Sequence, residues 1–374
     1  MKYELAEAIL TEAMQHWDIN KKADETRDIQ IISELKYDDY QQFTHGMRYI
    51  ESLALWLRQF QSASDKELAY GLVKNNLIFV SVEEMRQLIT TVYPLKMHQY
   101  IMNKTREYCI TEGISDINER KAVYRYFKRC SLFLGLSDGA HIDFFRRQNA
   151  DLSNEQIFVH YDLSESKSND MQENLQKDIN ELPICIKYTE LKNCNFHSYF
   201  LLDDFSGSGK SYIRKDEKGW HGKIDKFYDS LENLGIDIKN IEVHLILYVS
   251  TKRSIDYING NIEEFRTDKE IQGNFTVEAV QMVHPMDWEL FNELKQLLQK
   301  NYNEYITLDY KSFEDKHFDV GNGKEPYLGF ADGSLPLVLY HNTPNNSLPV
   351  LWYTWGNKVD ALFMRITRHK ESLS

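Results

Sequence analysis

Cysteine is scarce in this chain and its thiols are scattered. There are four among 374 residues, Cys109, Cys130, Cys185 and Cys194. None forms a CxxC pair, and no histidine stands at short spacing beside them. That excludes a zinc ribbon or knuckle and a disulfide framework, and it reads as reduced, buried thiols. Positive charge is also in deficit, with a formal net charge of -13. This excludes a general electrostatic footprint for nucleic acid. A local basic groove, or contact through a larger complex, is left open, because net charge says nothing of its distribution. No stretch approaches the ~20 consecutive apolar residues that span a bilayer. The opening MKYELAEAILTEAMQHW is amphipathic and carries acids, unlike a cleavable leader. The expectation is a soluble cytoplasmic protein with no membrane partner.

What is present suffices for a sizeable core: 42% of residues are hydrophobic, and the length suits two domains, or one large domain with an appendage. The first part reads as helical. Ile9, Leu10, Ala13, Met14 and Trp17 recur at helical spacing, as do Tyr49, Leu53, Trp56, Leu57 and Phe60. Ser81 and Glu84 form a capping box ahead of Met85, Leu88, Ile89 and Val92. Pro94 interrupts that face, which resumes through Met97–Tyr108. Residues 111–121 read as a linker or cap region, and no comparable strand pattern precedes about residue 120.

The character then changes. CSLFLGL (130–136), HSYFLLDD (197–204), IEVHLILYVS (241–250) and LPLVLYHNT (335–343) are apolar runs of strand length. Helical patterns lie between them at 223–235 and 287–301. SESKSNDMQENLQKD (164–178) reads as a surface helix or a mobile loop. Strands alternating with helices predict an α/β fold with a mostly parallel sheet. An all-helical domain precedes it, so the expected division is 1–115 helical and 116–374 α/β.

The stretch FLLDDFSGSGKS, Phe200–Ser211, sets two acids beside a small-residue loop. A Walker A loop needs a glycine five positions before its second glycine. Asp204 stands there, and a carboxylate in a phosphate cradle repels the ligand. A second arrangement separates the jobs. The strand ends at Leu202 and places Asp203 and Asp204 at its carboxyl tip, where ligands bind in open α/β sheets. Ser206, Gly207, Ser208, Gly209, Lys210 and Ser211 then offer N–H groups and hydroxyls to one phosphate. Carboxylates accept from the 2′- and 3′-hydroxyls of a ribose, so a ribose 5-phosphate suits both parts. The plainer reading of the same residues is an acidic turn that caps a helix.

These residues resemble the phosphoribosyl-pyrophosphate (PRPP) signature of type I phosphoribosyltransferases. Ser208, Gly209 and Ser211 stand where that family usually has Thr, Gly and Thr. Lys210 departs from the usual small residue, which leaves room for a different ribose phosphate. The resemblance implies that sheet type, Mg2+ held indirectly at Asp203 and Asp204 through the ligand, and those two acids favouring positive charge on the sugar. It also places pyrophosphate at an earlier loop, here Leu136, Ser137, Asp138 and Gly139. Arg146 and Arg147 could neutralise leaving-group charge there, or form a solvated or salt-bridged face. His141 and His160 are the nearest candidate bases, though a lone histidine is more often structural.

In HNTPNNSLPVLWYTWGN (341–357), Asn342, Asn345 and Asn346 could read a base edge and the tryptophans could stack on it; turn chemistry and core filling are the alternative. Together WLRQF (56–60), LLDDFSGSGKS and NTPNNSLPVLW resemble phosphoribosyltransferase-like proteins of bacterial antiphage systems, some linked to retrons. That resemblance implies an effector or accessory protein whose helical domain binds a protein partner. The site would transfer or hydrolyse the ribosyl group, or sense a ribose-phosphate metabolite without turnover.

Overall fold

The computed structural model describes residues 3–160, 164–192, 194–306, 319–354 and 358–365. In chain order the helices are α1 (Tyr3–Ala13), α2 (Ile19–Leu35), α3 (Tyr49–Leu57), α4 (Ala63–Asn75), α5 (Val82–Val92), α6 (His98–Thr111), α7 (Ile117–Arg129), α8 (Ile142–Gln148), α9 (Glu165–Asn180), α10 (Pro183–Lys187), α11 (Lys223–Asn233), α12 (Lys252–Asp268) and α13 (Asn292–Asn301). The strands are β1 (Ile78–Val80), β2 (Ser131–Gly135), β3 (Ile157–Val159), β4 (Ser198–Ser206), β5 (Arg214–Asp216), β6 (Gly219–His221), β7 (Glu242–Thr251), β8 (Phe275–Val283) and β9 (Leu337–Leu339).

Local signals set several boundaries. Asp18, Ser62, Asp116, Ser164 and Thr251 each accept a backbone N–H at a helix start. The capping box forms as expected: Ser81 N donates to Glu84 Oε2 at 2.8 Å and Glu84 N to Ser81 Oγ at 3.3 Å. Pro94 sits in a π-helical turn, Tyr93–Met97, that joins α5 to α6. Such a turn absorbs the missing N–H without ending the helical path. The polar stretch at 164–178 is helix α9, with Met171, Leu175 and Ile179 buried along one side.

The chain forms two compact units, Met85–Val283 and a second made of Met1–Glu84 with His284–Ser374. This division is cut differently from the sequence boundary at 115/116, and buried polar groups give the reason. In the second unit β1 pairs in parallel with β9. Trp56 Nε1 donates to the Val350 carbonyl at 2.6 Å, and Ser52 Oγ to that of Leu362 at 2.7 Å. Phe363 lies among Tyr40, Phe43, Tyr49 and Phe79. Without residues 284–365 these helices would leave their aromatic face and their donors bare. LPLVL therefore supplies β9 of a small two-stranded sheet, not a strand of the large one.

Met85–Val283 carries a five-stranded, all-parallel sheet in the order β3-β2-β4-β7-β8. Helices connect the strands, as parallel pairing demands. The α/β fold with a mostly parallel sheet and an N-terminal helical region is thus the observed one. β4 and β7 are buried almost throughout, which explains their unbroken apolar runs. From β2 the chain steps outward to β3, then back across to β4. The path reverses between β2 and β4, which opens a crevice at their carboxyl ends.

Across the sheet, Phe133, Phe200, His244 and Thr276 stand in register on four neighbouring strands. Phe133 stacks on Phe200 at 5.3 Å, and Phe200 on His244 at 5.0 Å. His244 Nδ1 meets Thr276 Oγ1 at 2.7 Å, while Nε2 has no partner among the described residues. Burial pushes this imidazole from 6.5 down to about 4. Nearby, burial lowers His197 to about 3.

A histidine kept neutral by the fold favours folding above its unfolded pKa. That contribution is lost as pH falls from 6.5 through about 4, because the unfolded chain takes up the proton first. His244 alone should cost the protein on the order of 2–3 kcal/mol between about pH 7.5 and about pH 4.5. Urea unfolding at those two pH values should show a clearly smaller acid loss for His244→Leu than for wild type.

Candidate functional site

β2 and β4 run together only as far as the pair Gly135↔Leu202. Leu136 N adds one more bond to the Leu202 carbonyl at 2.9 Å. The chain after β2 then turns through Asp138–Ala140 into α8. β4 does not stop there. It continues beside β7 through Asp203↔Leu247, Phe205↔Val249 and Ser206↔Ser250. The strand end expected at Leu202 is therefore corrected: both acids lie inside β4. Its partner β7 runs on to Thr251 and keeps pairing it, although β2 has left. Asp203 and Asp204 occupy the part of β4 that β2 no longer covers.

Successive strand residues point to opposite faces, and the two acids have different surroundings. Asp203 is 0% exposed. Its Oδ1 accepts from Ser137 Oγ. Its Oδ2 accepts from the Tyr212 hydroxyl at 2.6 Å and from the Lys223 ammonium. Burial, with the charge of Asp204 behind it, raises the Asp203 carboxyl above its ordinary range, against the opposing pull of Lys223 and Ser137. Asp204 is half-buried. Its Oδ1 accepts from Phe205 N at 2.8 Å, and its carboxylate lies over Gly139. A Cβ at Gly139 would stand 2.5 Å from Asp204 Oδ2, so a side chain there would push the carboxylate aside.

Two sequence-distant segments thus meet: residues 136–139 reach Asp203 through Ser137 and Asp204 through Gly139. Leu136, Ser137 and Gly139 are partly covered and Asp138 is exposed. Tyr248 of β7 holds the same loop from beneath, donating to the Ala140 carbonyl at 2.6 Å. Burial and then the two carboxylates push the Tyr212 and Tyr248 hydroxyls well above their usual range, so both stay protonated donors.

The loop after β4 leads into a turn and the β5–β6 hairpin, and it leans on the start of α12. Ser206 Oγ meets Ser254 Oγ at 2.6 Å, and Thr251 Oγ1 donates to the Gly207 carbonyl at 2.8 Å. Gly209 has φ +76, and a Cβ there would lie 2.9 Å from the Ser254 carbonyl. Glycine is needed on both counts. Ser206, Gly207, Ser208 and Gly209 are buried, Lys210 is half-buried and Ser211 is exposed. The Ser206 hydroxyl is engaged with α12, which leaves Ser208 and Ser211 as the loop's other hydroxyls.

The remaining candidates are placed elsewhere. Arg146 donates to the Ile157 carbonyl of β3, and Arg147 pairs with Asp143 at 3.3 Å on an exposed helix face. His141, with φ 46, starts α8 and its carbonyl accepts from Phe144 and Phe145. Burial lowers the His160 pKa, and its Nε2 meets Ser230 Oγ at 3.2 Å. Asn342, Asn345 and Asn346 belong to the other compact unit. There Asn342 Oδ1 accepts from Thr343 N, the Asn345 carbonyl accepts from Phe330 N, and buried Asn346 donates to the Phe330 carbonyl. Trp352 donates to the Ser347 carbonyl, and Trp355 lies outside the described residues.

Sequence reasoning missed Lys223, Tyr212 and Tyr248. Lys223 opens an amphipathic helix and reads as its solvated first turn. Only the β5–β6 hairpin, by returning the chain, brings it back to Asp203.

Comparison with known proteins adds one finding. A family model described as PRTase-CE matches residues 53–365, so the chain belongs to that family and is phosphoribosyltransferase-like. No curated protein and no solved structure matches it.

Replacing Gly209 tests the loop's packing. Gly209→Ala combines a left-handed backbone with a contact against Ser254 and Tyr257, and should destabilise the protein by about 1–3 kcal/mol in chemical denaturation.

Proposed function

We propose that this PRTase-CE protein binds PRPP, or a closely related ribose 5-phosphate, in the crevice where β2 and β4 part. The observation that carries the reading is the meeting of the 136–139 loop with the acid pair of β4, at the reversal point of a parallel sheet. That is where open α/β sheets take ligands. The acid edge suits ribose hydroxyls, which donate, and Asp204 is the partly accessible acceptor. The loop at 206–211, with Ser208, Lys210 and Ser211, suits the 5′-phosphate. The Leu136–Gly139 turn suits the pyrophosphate.

Among the described residues no group of three His, Cys, Asp or Glu side chains is close enough to cage a metal. That fits Mg2+ carried mainly by the ligand's phosphates, with a carboxylate such as Asp204 alongside. When bound, Mg2+ would neutralise charge on the pyrophosphate. The chain's own part is to orient the sugar and to set carboxylate charge near its anomeric carbon, where positive charge grows as the bond breaks.

Transfer or hydrolysis of the ribosyl group is the activity this arrangement suits. A second reading is binding without turnover to regulate a partner. A place in antiphage defence, with the helical part as partner-binding module, extends either reading and rests on resemblance alone.

Calorimetric titration with PRPP and Mg2+ tests the site. Wild type should bind, and Asp204→Asn should lose about tenfold to a hundredfold in affinity, the worth of a charged hydrogen bond. A folded wild type that does not bind PRPP overturns the reading. Pyrophosphate release on incubation separates turnover from silent binding.

A further inference from the structure

We propose that the two adjacent acids divide the labour: Asp203 is a positioning residue sealed inside the protein, and Asp204 alone faces the ligand. The inference rests on the ribose-phosphate reading for the ligand, but its basis is geometric.

Asp203 has no solvent-exposed surface. Its oxygens already accept from Ser137, Tyr212 and Lys223. A carboxylate offers about four acceptor positions, and here three hold protein donors while none opens to solvent. A sugar hydroxyl has no route to it. The donors come from three separate segments: the turn after β2, the turn after the 206–211 loop, and the first residue of α11 beyond the hairpin. One buried anion therefore ties both proposed ligand loops, and the start of α11, to the end of β4.

Asp204 differs in exposure. It is half-buried, and its neighbour across the crevice is Gly139, whose missing side chain leaves the carboxylate its space. The pairing of Asp203 with Lys223 also has a consequence for variants. Removing one partner strands the other, whereas removing both with side chains of similar size can be nearly neutral. A residue that acts through Lys223 should be rescued when Lys223 is neutralised. A residue that touches the ligand should not.

The experiment is a double-variant cycle on the full chain, read by calorimetric titration with PRPP and Mg2+ and by the thermal midpoint. Asp203→Asn should weaken binding by about tenfold or more, and adding Lys223→Met should bring affinity back to within about threefold of wild type. Asp204→Asn should weaken binding whether or not Lys223→Met is present. The proposal is overturned if the Asp203→Asn/Lys223→Met protein fails to fold or binds as weakly as Asp203→Asn alone, since Asp203 would then be needed for itself. It is equally overturned if Asp203→Asn lowers the thermal midpoint but leaves affinity intact, a purely structural role. If wild type binds no PRPP, the ligand reading fails separately. The thermal cycle still decides the positioning role: the double variant should melt above Asp203→Asn, and strictly additive losses would exclude the coupling.

Discussion

A carboxylate without water must be held by the protein alone, and the carboxyl end of this sheet is organised around that demand. Burying a charge costs several kcal/mol unless donors replace the lost hydration. Asp203 meets the requirement with a hydroxyl, a phenol and an ammonium. No local segment could supply all three. The demand therefore fixes long-range geometry: the turn at Ser137, the turn at Tyr212 and the entry to α11 must all converge on one strand. Loops that would otherwise wander are set by an electrostatic constraint, and the crevice inherits their order.

The opposite end of the same two strands has a related device. Glu242, the first residue of β7, accepts from Tyr100 and Lys104 of α6. Burial works to raise this carboxyl, yet Lys104 and Tyr100 hold it below its ordinary value. Between the two ends run the Phe133–Phe200–His244 stack and a largely apolar interior. Acid–lysine pairs thus fasten the sheet at top and bottom, to an α11 lysine at one end and an α6 lysine at the other.

Much of the sheet unit was legible because its signals are local. The apolar runs of β2, β4 and β7 announce doubly covered strands, and the small-residue loop after the acids follows from glycine and serine chemistry. What escaped depends on partners. The end of β4 was placed four residues early because β7, far along the chain, continues to pair it. β8 went unmarked since only its first and last residues are buried, which leaves no apolar run. β1 and β3 have three residues each, too few for periodicity to register. At the site, Asp203 and Asp204 read as equivalents in sequence. Their inequality arises from strand alternation and from a lysine 20 residues away. For Asn346 the sequence left base reading and turn chemistry both open, and the fold sets its amide against the Phe330 carbonyl.

The pairing of β1 with β9 has a bearing on how the chain acquires its shape during synthesis. Residues 85–283 emerge as one continuous stretch containing every strand of the large sheet, so that unit can condense while translation proceeds. The helices of residues 3–75 leave the ribosome before that unit but must wait more than two hundred residues for the carbonyls of Val350 and Leu362 and the ring of Phe363. Through that interval Trp56 and Tyr49 lack their final cover. A segment made before the sheet unit therefore matures after it, and through the interval its apolar face needs protection from premature association.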